Sequence, residues 1–392
     1  MKLLLLAPHP FFQERGTPIA VRLLASALGA HGYEIDLLTY HVGEDIELPN
    51  VRILRTRALP WVRNVKPGFS LKKVACDLLL LFKARSLAAN NRYDAVHAVE
   101  EAAFIARSLQ RSYGLPYVYD MDSSLAEQML EKYPLLRPLA RVLQFFEKKA
   151  LRDSSGVIAV CRILEEKARR LAPGKPVLRL EDVPLPRAAA GARENLREKH
   201  AVSGRIVMYV GNLEHYQGIG LLLESFRLLA ATHADAYLVV IGGSPRDIAR
   251  CTATAAGLGI ATRVRFVGPR PPGQLFDFLA QADILVSPRV KGINTPMKIY
   301  SYLDSGVPVL ATDLPTHTQV LDERLALLVR PDPAAMAAGL AKLLDDEGLR
   351  RELARNARER VKREYSREAF AEKLCAFYDG LAAGLARKEN TR

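Results

Sequence analysis

The sequence predicts an α/β protein made of two doubly wound domains, each with a parallel sheet covered by helices on both faces. In both halves of the chain, short apolar runs alternate with helical patterns, which is typical of parallel strands that are buried on both faces. The 392 residues exceed what one ordinary core accommodates, and the alternation is interrupted once near the middle. We therefore expect two domains of the same class.

The first half begins with an apolar run at residues 3–7, which indicates a buried strand. This run is too short for a signal peptide, and Pro8 and Pro10 break it. A turn rich in proline and glycine leads to a helical pattern at residues 19–31, which Gly32 ends. The further strands of this half are predicted at residues 34–40, 51–55, 95–98, 117–119 and 156–160.

The alternation stops at a proline-containing segment, residues 183–186, and at the polar stretch after it. We predict an N-terminal domain at residues 1–187 and a C-terminal domain at residues 188–365. A last helix begins near Ser366, and its cap and apolar stripe indicate a packed helix; we expect residues 366–392 to return to the N-terminal domain. In the second domain, strands are predicted at residues 205–210, 237–241, 264–267, 283–287, 309–312 and 325–329, and helices at 221–231, 274–281, 298–305, 334–345 and 349–364.

The composition narrows the class of partner. A formal net charge of +13 attracts polyanions such as nucleic acid, an anionic membrane surface or phosphorylated small molecules. No RNA- or DNA-binding motif accompanies the charge, so we expect no nucleic-acid partner. No run approaches the ~20 apolar residues of a transmembrane helix. The four cysteines are widely scattered, without metal-ligand spacing, which predicts a cytoplasmic protein that can still lie at the inner face of the plasma membrane.

The most informative stretch is a cationic turn at residues 289–300. It follows the apolar strand predicted at 283–287 and opens a helix, so free N–H groups and the helix dipole can face an anion. Arg289, Lys291 and Lys298 supply the charge, and this arrangement suits a phosphate or diphosphate; the alternative is a solvated basic loop. Glycines also follow several other strands, and we expect them to line a central cleft, because ligands of doubly wound sheets bind at the carboxyl ends of the strands.

Beyond these patterns, the chain resembles the bacterial family 4 glycosyltransferases, retaining enzymes of the GT-B fold, in which two Rossmann-like domains face a central cleft. The matching stretches are Gly16–Thr17 and residues 209–213, 217–219, 240–243, 295–303 and 306–308. The resemblance implies transfer of a sugar, with retention, from a nucleotide-diphosphate donor to a saccharide or lipid-linked acceptor in surface or exopolysaccharide biosynthesis. It also implies that neither a cofactor nor a metal is needed.

The donor site that the resemblance implies lies mainly on the second domain. A departing diphosphate needs charge stabilisation, which cations and helix N-termini can supply. We take Arg289 and Lys298 as catalytic candidates, together with Asp122 of the first domain. The predicted donor-binding residues are Gly16, Thr17, Gly211, Asn212, Gln217, Gly242, Gly243, Arg289, Lys291, Asn294, Thr295, Lys298 and Ser301.

Several positions depart from the family pattern. Asn212 and Gln217 stand where the family usually carries an arginine and a lysine. The usual pair of glutamates is replaced by Ile293 and Ser301, and the second glutamate normally holds the ribose. Ser301 can hydrogen-bond but is shorter and neutral, so nucleotide binding is expected to be weaker or differently arranged. Asp304, one turn further along the helix, could take the place of the second glutamate; the alternative is a solvated aspartate.

In the first domain, Asp122 stands where the family usually has a histidine near the transferred sugar. An aspartate there could hydrogen-bond a sugar hydroxyl or stabilise an oxocarbenium-like centre. Alternatively, residues 122–124 simply open a helix at Leu125. The predicted acceptor-binding residues are His9, Glu100, Glu101 and Asp120. For the two glutamates the alternative is a helix first turn, where the dipole favours carboxylates, and for His9 it is polar surface.

Residues 51–92 contain ten basic side chains against one acid, Asp77, with Trp61, Phe69 and an apolar run at 78–82 between them. This composition suits an anionic membrane surface and hence a lipid-linked acceptor. The alternative is a packed helix with a solvated basic face. Two other functions stay open from the sequence: a nucleotide-sugar epimerase of the same fold, and a non-catalytic scaffold at the membrane.

Overall fold

The computed structural model describes residues 1–13, 16–62, 65, 70–187 and 194–389. The chain forms two compact units, one of Met1–Glu181 with Glu368–Arg392 and the other of Asp182–Arg367. We call them the first and the second unit. The predicted domain boundary falls beside residues 188–193, which lie outside the described residues, as do Arg63, Lys66 and Phe69 of the basic segment.

The strands are short and buried, as the apolar runs predict. They are β1 (Lys2–Ala7), β2 (Glu34–Thr39), β3 (Val51–Arg55), β4 (Ala95–Val99), β5 (Tyr117–Met121), β6 (Gly156–Ala159), β7 (Val177–Arg179), β8 (Arg205–Val210), β9 (Ala236–Ile241), β10 (Val264–Gly268), β11 (Ile284–Ser287), β12 (Val309–Thr312) and β13 (Leu327–Val329).

Helices connect almost all of these strands. They are α1 (Gly16–Ala30), α2 (Leu71–Asn90), α3 (Ala102–Tyr113), α4 (Leu125–Lys132), α5 (Ala140–Asp153), α6 (Arg162–Leu171), α7 (Leu196–Lys199), α8 (Ile219–Ala230), α9 (Pro245–Gly257), α10 (Leu275–Leu279), α11 (Lys298–Ser305), α12 (Pro315–Thr318), α13 (Pro333–Asp345), α14 (Glu347–Glu364) and α15 (Arg367–Glu389). Short 3₁₀ segments occur at Pro134–Leu139, His215–Gln217, Ala261–Arg263 and Pro272–Gln274.

Each unit has one parallel sheet whose strand order reverses once. The first sheet has the order β3-β2-β1-β4-β5-β6-β7 and the second has the order β10-β9-β8-β11-β12-β13. Connections to one side of β1 and connections to the other side must lie on opposite faces, because parallel crossovers are right-handed. In the first unit, α2, α3, α5 and α6 are successive neighbours in one layer, whereas α1 and α15 cover the opposite face.

The second unit buries apolar side chains on both faces of its sheet. Ile299 and Leu303 of α11 pack with Val361 of α14 against one face. Phe226 of α8 and Leu340 of α13 pack against the other face. The two cores confirm the prediction of strands that are covered on both sides.

The main differences from the sequence-based elements lie at helix and strand ends. The first helix begins at Gly16 rather than at residue 19. The last strand begins at Leu327 rather than at residue 325, because the N–H groups of Leu325 and Ala326 both donate to the carbonyl of Asp322 in a turn. The helix predicted at residues 274–281 is limited to Leu275–Leu279, and β7 was not predicted. None of the helices described here combines the length and the apolar character needed to cross a bilayer.

Candidate active site

The strand order reverses in the second unit between β8 and β11, and a crevice is expected where it does. Gly211 follows β8 directly, and Arg289 follows β11 by two residues. Both therefore lie at the carboxyl edge of the sheet, on either side of the reversal. Most of the predicted donor-binding residues come from the loops at this edge.

Two glycine loops touch backbone to backbone beside this edge. Gly242, which follows β9, has φ +109°, and a Cβ added there would lie 2.2 Å from the carbonyl oxygen of Gly211. The N–H of Gly242 donates to the carbonyl of Gly268 at 2.8 Å. Only glycine fits both the backbone conformation and the space, so the loops after β8 and β9 are held close together.

Replacing Gly242 by alanine is expected to lower the free energy of unfolding by about 2–4 kcal/mol, because the new methyl group meets backbone and the backbone conformation is strained. Gly220→Ala is the matched control, since that glycine lies in α8 with open space around it. The control should gain about 0.5–1 kcal/mol from the better helix propensity of alanine. Urea unfolding of both variants measures the difference; equal stabilities would contradict the close approach of the two loops.

Arg289 is held in place by its own turn. It is buried, and its Nη1 donates to the carbonyl of Asn294 at 2.9 Å and to the Thr316 hydroxyl at 3.0 Å. Its guanidinium carbon lies 5.1 Å from the ring centroid of Tyr216. A Cβ on Gly292 would lie 2.7 Å from Nη2, so the turn wraps closely around the guanidinium. The cation is therefore positioned before any ligand arrives.

Lys298 is the first residue of α11, and its ammonium points back to the loop after β8. Nζ lies 3.9 Å from the ring centroid of Tyr209 and 3.4 Å from Oε1 of Gln217. Burial, and secondarily the charge of Arg289, hold the pKa of Lys298 well below its usual value. Among the described residues, no carboxylate acts on the pKa of this ammonium. A buried cation beside a second cation favours an anionic ligand.

The other predicted donor-binding residues of the second unit differ in how far their side chains are exposed to solvent. Gln217 and Thr295 are buried, and the Thr295 hydroxyl has no hydrogen-bond partner among the described residues. Asn212 and Lys291 are exposed, and the Asn212 carbonyl accepts a hydrogen bond from the Tyr209 hydroxyl at 2.6 Å. Gly243 follows Gly242 in the same loop. Gly16 and Thr17 belong to the first unit, where they begin α1.

Ser301 is fully buried, and its hydroxyl accepts a hydrogen bond from the N–H of Leu185 at 3.0 Å. To bind a ribose, Ser301 would therefore have to give up its hydrogen bond with Leu185. Asp304, the substitute considered from the sequence, pairs with Arg187 at 3.0 Å. Both side chains that could replace the family's glutamate therefore already have a partner within the second unit.

His317 ties together the ends of two neighbouring strands at this edge, β11 and β12. It is fully buried, with Nε2 2.8 Å from the Ser287 hydroxyl and Nδ1 2.9 Å from the carbonyl of Thr312. Burial lowers its pKa to about 4, so the ring is neutral at physiological pH. The histidine joins the ends of β11 and β12, and this supports the turn that carries Arg289.

A second group of predicted residues lies at the carboxyl edge of the first sheet. Glu100 follows β4 with φ +48°, and its N–H donates to the carbonyl of Asp120 at 2.9 Å. Its carboxyl accepts a hydrogen bond from the Ser123 hydroxyl at 3.0 Å. Burial, and then the charge of Glu101, raise the pKa of Glu100 to about 7. Glu100 and Glu101 precede α3, and the side chain of Glu101 does not cap that helix.

Lys73 of α2 supplies the positive charge of this group. It forms an ion pair with Glu101, and its Nζ donates to the carbonyl of Pro8 at 2.7 Å and lies 3.2 Å from the Tyr40 hydroxyl. The Tyr40 hydroxyl donates to Asp77, whose pKa burial raises to about 6. Lys73 is one of the ten basic residues at 51–92, and these contacts engage it within the first unit rather than at a membrane surface. The spacing of Lys73 and Asp77, four residues apart on a helix, was the available signal.

Asp120 and Asp122, at the end of β5, have different surroundings. Asp120 is 9% exposed, and its Oδ2 lies 3.1 Å from Nε2 of His97. Nδ1 of His97 lies 2.6 Å from the hydroxyl of Tyr378, which comes from α15. This row of buried, hydrogen-bonded side chains was not predicted from the sequence, because His97 lies inside a strand and Tyr378 lies 281 residues away from it.

Asp122 is partly exposed, and the helix after it opens at Leu125, as the capping alternative predicts. The cap is Ser124, whose hydroxyl accepts a hydrogen bond from the N–H of Glu127 at 3.3 Å. The catalytic role of Asp122 stays a prediction. His9 lies in the loop after β1, with Nδ1 3.1 Å from the carbonyl of Pro10.

Replacing Glu100 by glutamine is expected to stabilise the protein at pH 8 by about 1–2 kcal/mol and to have little effect at pH 5. The pKa of about 7 lies above the ordinary 4.5, so between these values the native state binds more protons than the unfolded state. Native stability therefore falls as the pH rises through 7, and glutamine, which mimics the protonated carboxyl, removes this loss. Chemical unfolding at both pH values measures it, with the exposed Glu131→Gln as control. A glutamine variant less stable at pH 8 would contradict the burial of this charge.

Comparison with known proteins agrees with this fold. The model "Glycosyl transferase 4-like domain" matches residues 15–181, and the model "Glycosyl transferases group 1" matches residues 192–360. The D-inositol 3-phosphate glycosyltransferase of Acidothermus cellulolyticus is 26% identical over 371 residues, which cover 87% of this chain and 80% of that protein.

Two solved structures share the fold over nearly the whole chain. Sucrose-phosphate synthase from Thermosynechococcus elongatus superposes with a TM-score of 0.79 at 22% identity, covering 98% of this chain and 99% of that one. The HepE protein of Anabaena in complex with UDP superposes with a TM-score of 0.74 at 16% identity, covering 97% and 100%. Because the two family models together span most of the chain, in this order, the protein is a glycosyltransferase of the GT-B fold and belongs to glycosyltransferase family 4.

Proposed function

We propose that this enzyme transfers a sugar from a nucleotide-diphosphate donor to a hydroxyl group of a saccharide or lipid-linked acceptor, with retention of the anomeric configuration. The observation that carries the proposal is the pair of cations at the strand reversal of the second unit. Arg289 is fixed by its turn and Lys298 lies at the start of α11, beside the glycine loops. This arrangement suits a diphosphate.

In the proposed reaction, the bond between the anomeric carbon and the diphosphate oxygen breaks, and a bond to the acceptor oxygen forms. The electron pair of the broken bond stays on the diphosphate, and the hydroxyl proton of the acceptor passes to the departing diphosphate oxygen. Lys298 and Arg289 stabilise the negative charge that develops on the leaving group, together with the N–H groups near Thr295. Both cations come from the protein, so we propose that transfer does not depend on a metal ion.

UDP is the first nucleotide to test, because the structure of the Anabaena relative was solved with UDP. The buried Ser301 offers less to a ribose than a glutamate would, so we expect weaker nucleotide affinity than the family pattern implies. The cation pair itself acts on the diphosphate, which all candidate nucleotides share.

The acceptor is proposed to bind at the carboxyl edge of the first sheet. There Glu100 and Glu101 lie beside Lys73, and Asp120 is held by His97. Carboxylates accept hydrogen bonds from several hydroxyl groups at once, which suits a saccharide or another polyol. The A. cellulolyticus relative is named for a phosphorylated polyol, inositol 3-phosphate. We place the enzyme in surface or exopolysaccharide biosynthesis, at the inner face of the plasma membrane.

The first experiment is thermal stabilisation by UDP, GDP, ADP, CMP and dTDP, with and without EDTA. We expect one diphosphate to raise the melting temperature selectively, unchanged by EDTA, because a ligand that binds only the native state stabilises it. NMR of the product made with that sugar donor then reports the anomeric configuration. No shift with any nucleotide would refute the donor site and favour a non-catalytic scaffold. An altered sugar nucleotide formed from donor alone would indicate an epimerase.

A further inference from the structure

The exposed apolar side chains of this protein are concentrated in one region. In the part of the chain that the structure describes, every exposed large apolar residue lies between Trp61 and Phe146, within the first unit. Scattered exposed apolar residues are ordinary, whereas a concentrated set marks an interaction surface. Most of them lie on or just before two helices, α2 and α5: Leu71, Leu78, Phe82, Leu135, Leu139, Val142, Phe145 and Phe146.

The positions on α2 form one stripe that points away from the sheet. Leu71, Leu78 and Phe82 are spaced by seven and four residues, which places them on one side of a helix. Cys76 and Leu80 of the same helix are buried on the other side. Leu71 is 83% exposed and Phe82 is 62% exposed, so these side chains are not part of the core.

The positions on α5 repeat this arrangement. Leu139, Val142 and Phe146 are separated by three and four residues, and Phe145 lies beside them with a ring 5.7 Å from that of Phe146. The buried residues of α5 are Glu147, Ala150 and Leu151, and they follow the stripe around the helix towards the side that faces the unit. Helix α3 lies between α2 and α5 in the same layer. We call the exposed side of α2, α3 and α5 the outer helical face.

Cations accompany the apolar stripes. Residues 132–152 contain six basic residues and one acid, Glu147, which is buried and paired with Lys167 at 2.9 Å. Arg137 and Arg141 are exposed beside the α5 stripe, and Nζ of Lys149 lies 5.6 Å from the ring centroid of Phe145. Apolar side chains next to lysine and arginine are typical of helices that lie in the interface of an anionic bilayer.

We propose that the outer helical face binds the surface of an anionic lipid bilayer. The leucine and phenylalanine side chains would enter the boundary between headgroups and acyl chains, and the cations would contact lipid phosphates. A second copy of this chain fits this face poorly, because a two-fold contact would oppose the same cations to one another. The inference deepens the proposed location at the inner face of the plasma membrane by naming the surface that binds there, and it rests on that location but requires neither donor nor acceptor. It would bring the first unit to the place where a lipid-linked acceptor lies.

The test is flotation of the purified protein with vesicles of phosphatidylcholine alone or with one-third phosphatidylglycerol. We expect binding only with the anionic lipid, weakened by salt. Arg137→Glu with Arg141→Glu should lower the partition coefficient by about tenfold or more, because each cation at an anionic surface adds to affinity. The control is Arg330→Glu with Lys342→Glu, which changes the net charge equally in the second unit and should bind like the wild type. Equal loss in both double variants would overturn the proposal.

A second pair of variants tests the apolar part. Phe145→Gln with Phe146→Gln should lose binding, and Phe145→Leu with Phe146→Leu should retain most of it. Nucleotide thermal shifts recorded on the same variants separate this proposal from the proposed function, because loss of vesicle binding should leave those shifts unchanged. No vesicle binding by the wild type, or self-association that the glutamine variant abolishes, would overturn the lipid assignment.

Discussion

Replacing Lys298 by methionine is expected to lower kcat/KM by roughly 10²–10³-fold, because removal of one preorganised group that stabilises developing charge has an effect of this size. Its ammonium lies 3.4 Å from Gln217 and at the start of α11, where the diphosphate is proposed to bind. Nucleotide stabilisation should fall with the rate, since the same charge acts on the bound diphosphate.

The same variant is expected to raise the stability of the donor-free protein. Burial, and secondarily the charge of Arg289, hold the pKa of Lys298 well below its unfolded-state value, and this difference means that the protonated ammonium is less favourable in the native state than in the unfolded state. The lowered native pKa therefore reduces the free energy of unfolding at pH values below the unfolded-state pKa. This cost diminishes as the pH rises towards that value. Methionine removes the difference and keeps a long apolar side chain. The donor site would thus hold a cation at the expense of stability, as active sites often do.

Both effects are measured by initial rates and by thermal unfolding with and without the nucleotide that binds. Lys342→Met is the matched control, because this exposed lysine lies on α13 in the same unit. The control should change stability by less than about 0.5 kcal/mol. A Lys298→Met enzyme with the wild-type rate would remove Lys298 from the mechanism. A donor-free variant less stable than the wild type would show that the ammonium is favourably paired.

The second large effect is expected at Lys73. Lys73→Met should lower the free energy of unfolding by about 3–5 kcal/mol at pH 8, because removing one partner leaves buried charge uncompensated. Lys73 is the cation between Glu101 and the Tyr40–Asp77 pair. The pKa of Asp77 is raised to about 6 and that of Glu100 to about 7, so both carboxyls are ionised at pH 8.

The loss should shrink at pH 5. Below these raised pKa values the two carboxyls bind protons in the native state, so less negative charge lacks a partner. Urea unfolding at pH 5 and pH 8 measures the difference, with Lys72→Met as the control on the same helix, where the side chain is exposed. The control should change stability by less than about 0.5 kcal/mol at either pH. A deficit that is the same at both pH values would mean that Lys73 acts through packing alone.

Local sequence patterns were enough to predict the fold class and the cationic half of the proposed donor site. The buried strands are continuous apolar runs, and α11 spans Lys298–Ser305, the range that the sequence predicts. The cationic turn could be predicted because Arg289 and Lys298 are close in the chain and flank a strand-to-helix transition. The aromatic partners Tyr209 and Tyr216 were missed, since their contacts with these cations cross from β8 to β11.

The sequence-based interpretation failed where the direction in which a side chain points from its helix decides its contacts. Lys72 and Lys73 are adjacent and chemically alike, yet one is exposed and the other reaches Glu101. Ser301 carries a polar group near the predicted site, but its hydroxyl is bonded to the N–H of Leu185, 116 residues away. The stripe on α5 was also overlooked, because apolar residues at helical spacing usually indicate a buried face.

The sequence by itself therefore determined the two doubly wound units, their strand-end glycines and the cationic turn, because these depend on short-range periodicity and turn chemistry. Only the tertiary structure decided which charges meet and which apolar side chains remain exposed. Those outcomes depend on how β4 and β5 bring Glu100 to Asp120, and on which side of α2 and α5 the sheet covers. Burial by distant parts of the chain, rather than residue type, sets the pKa of Glu100 and of Lys298.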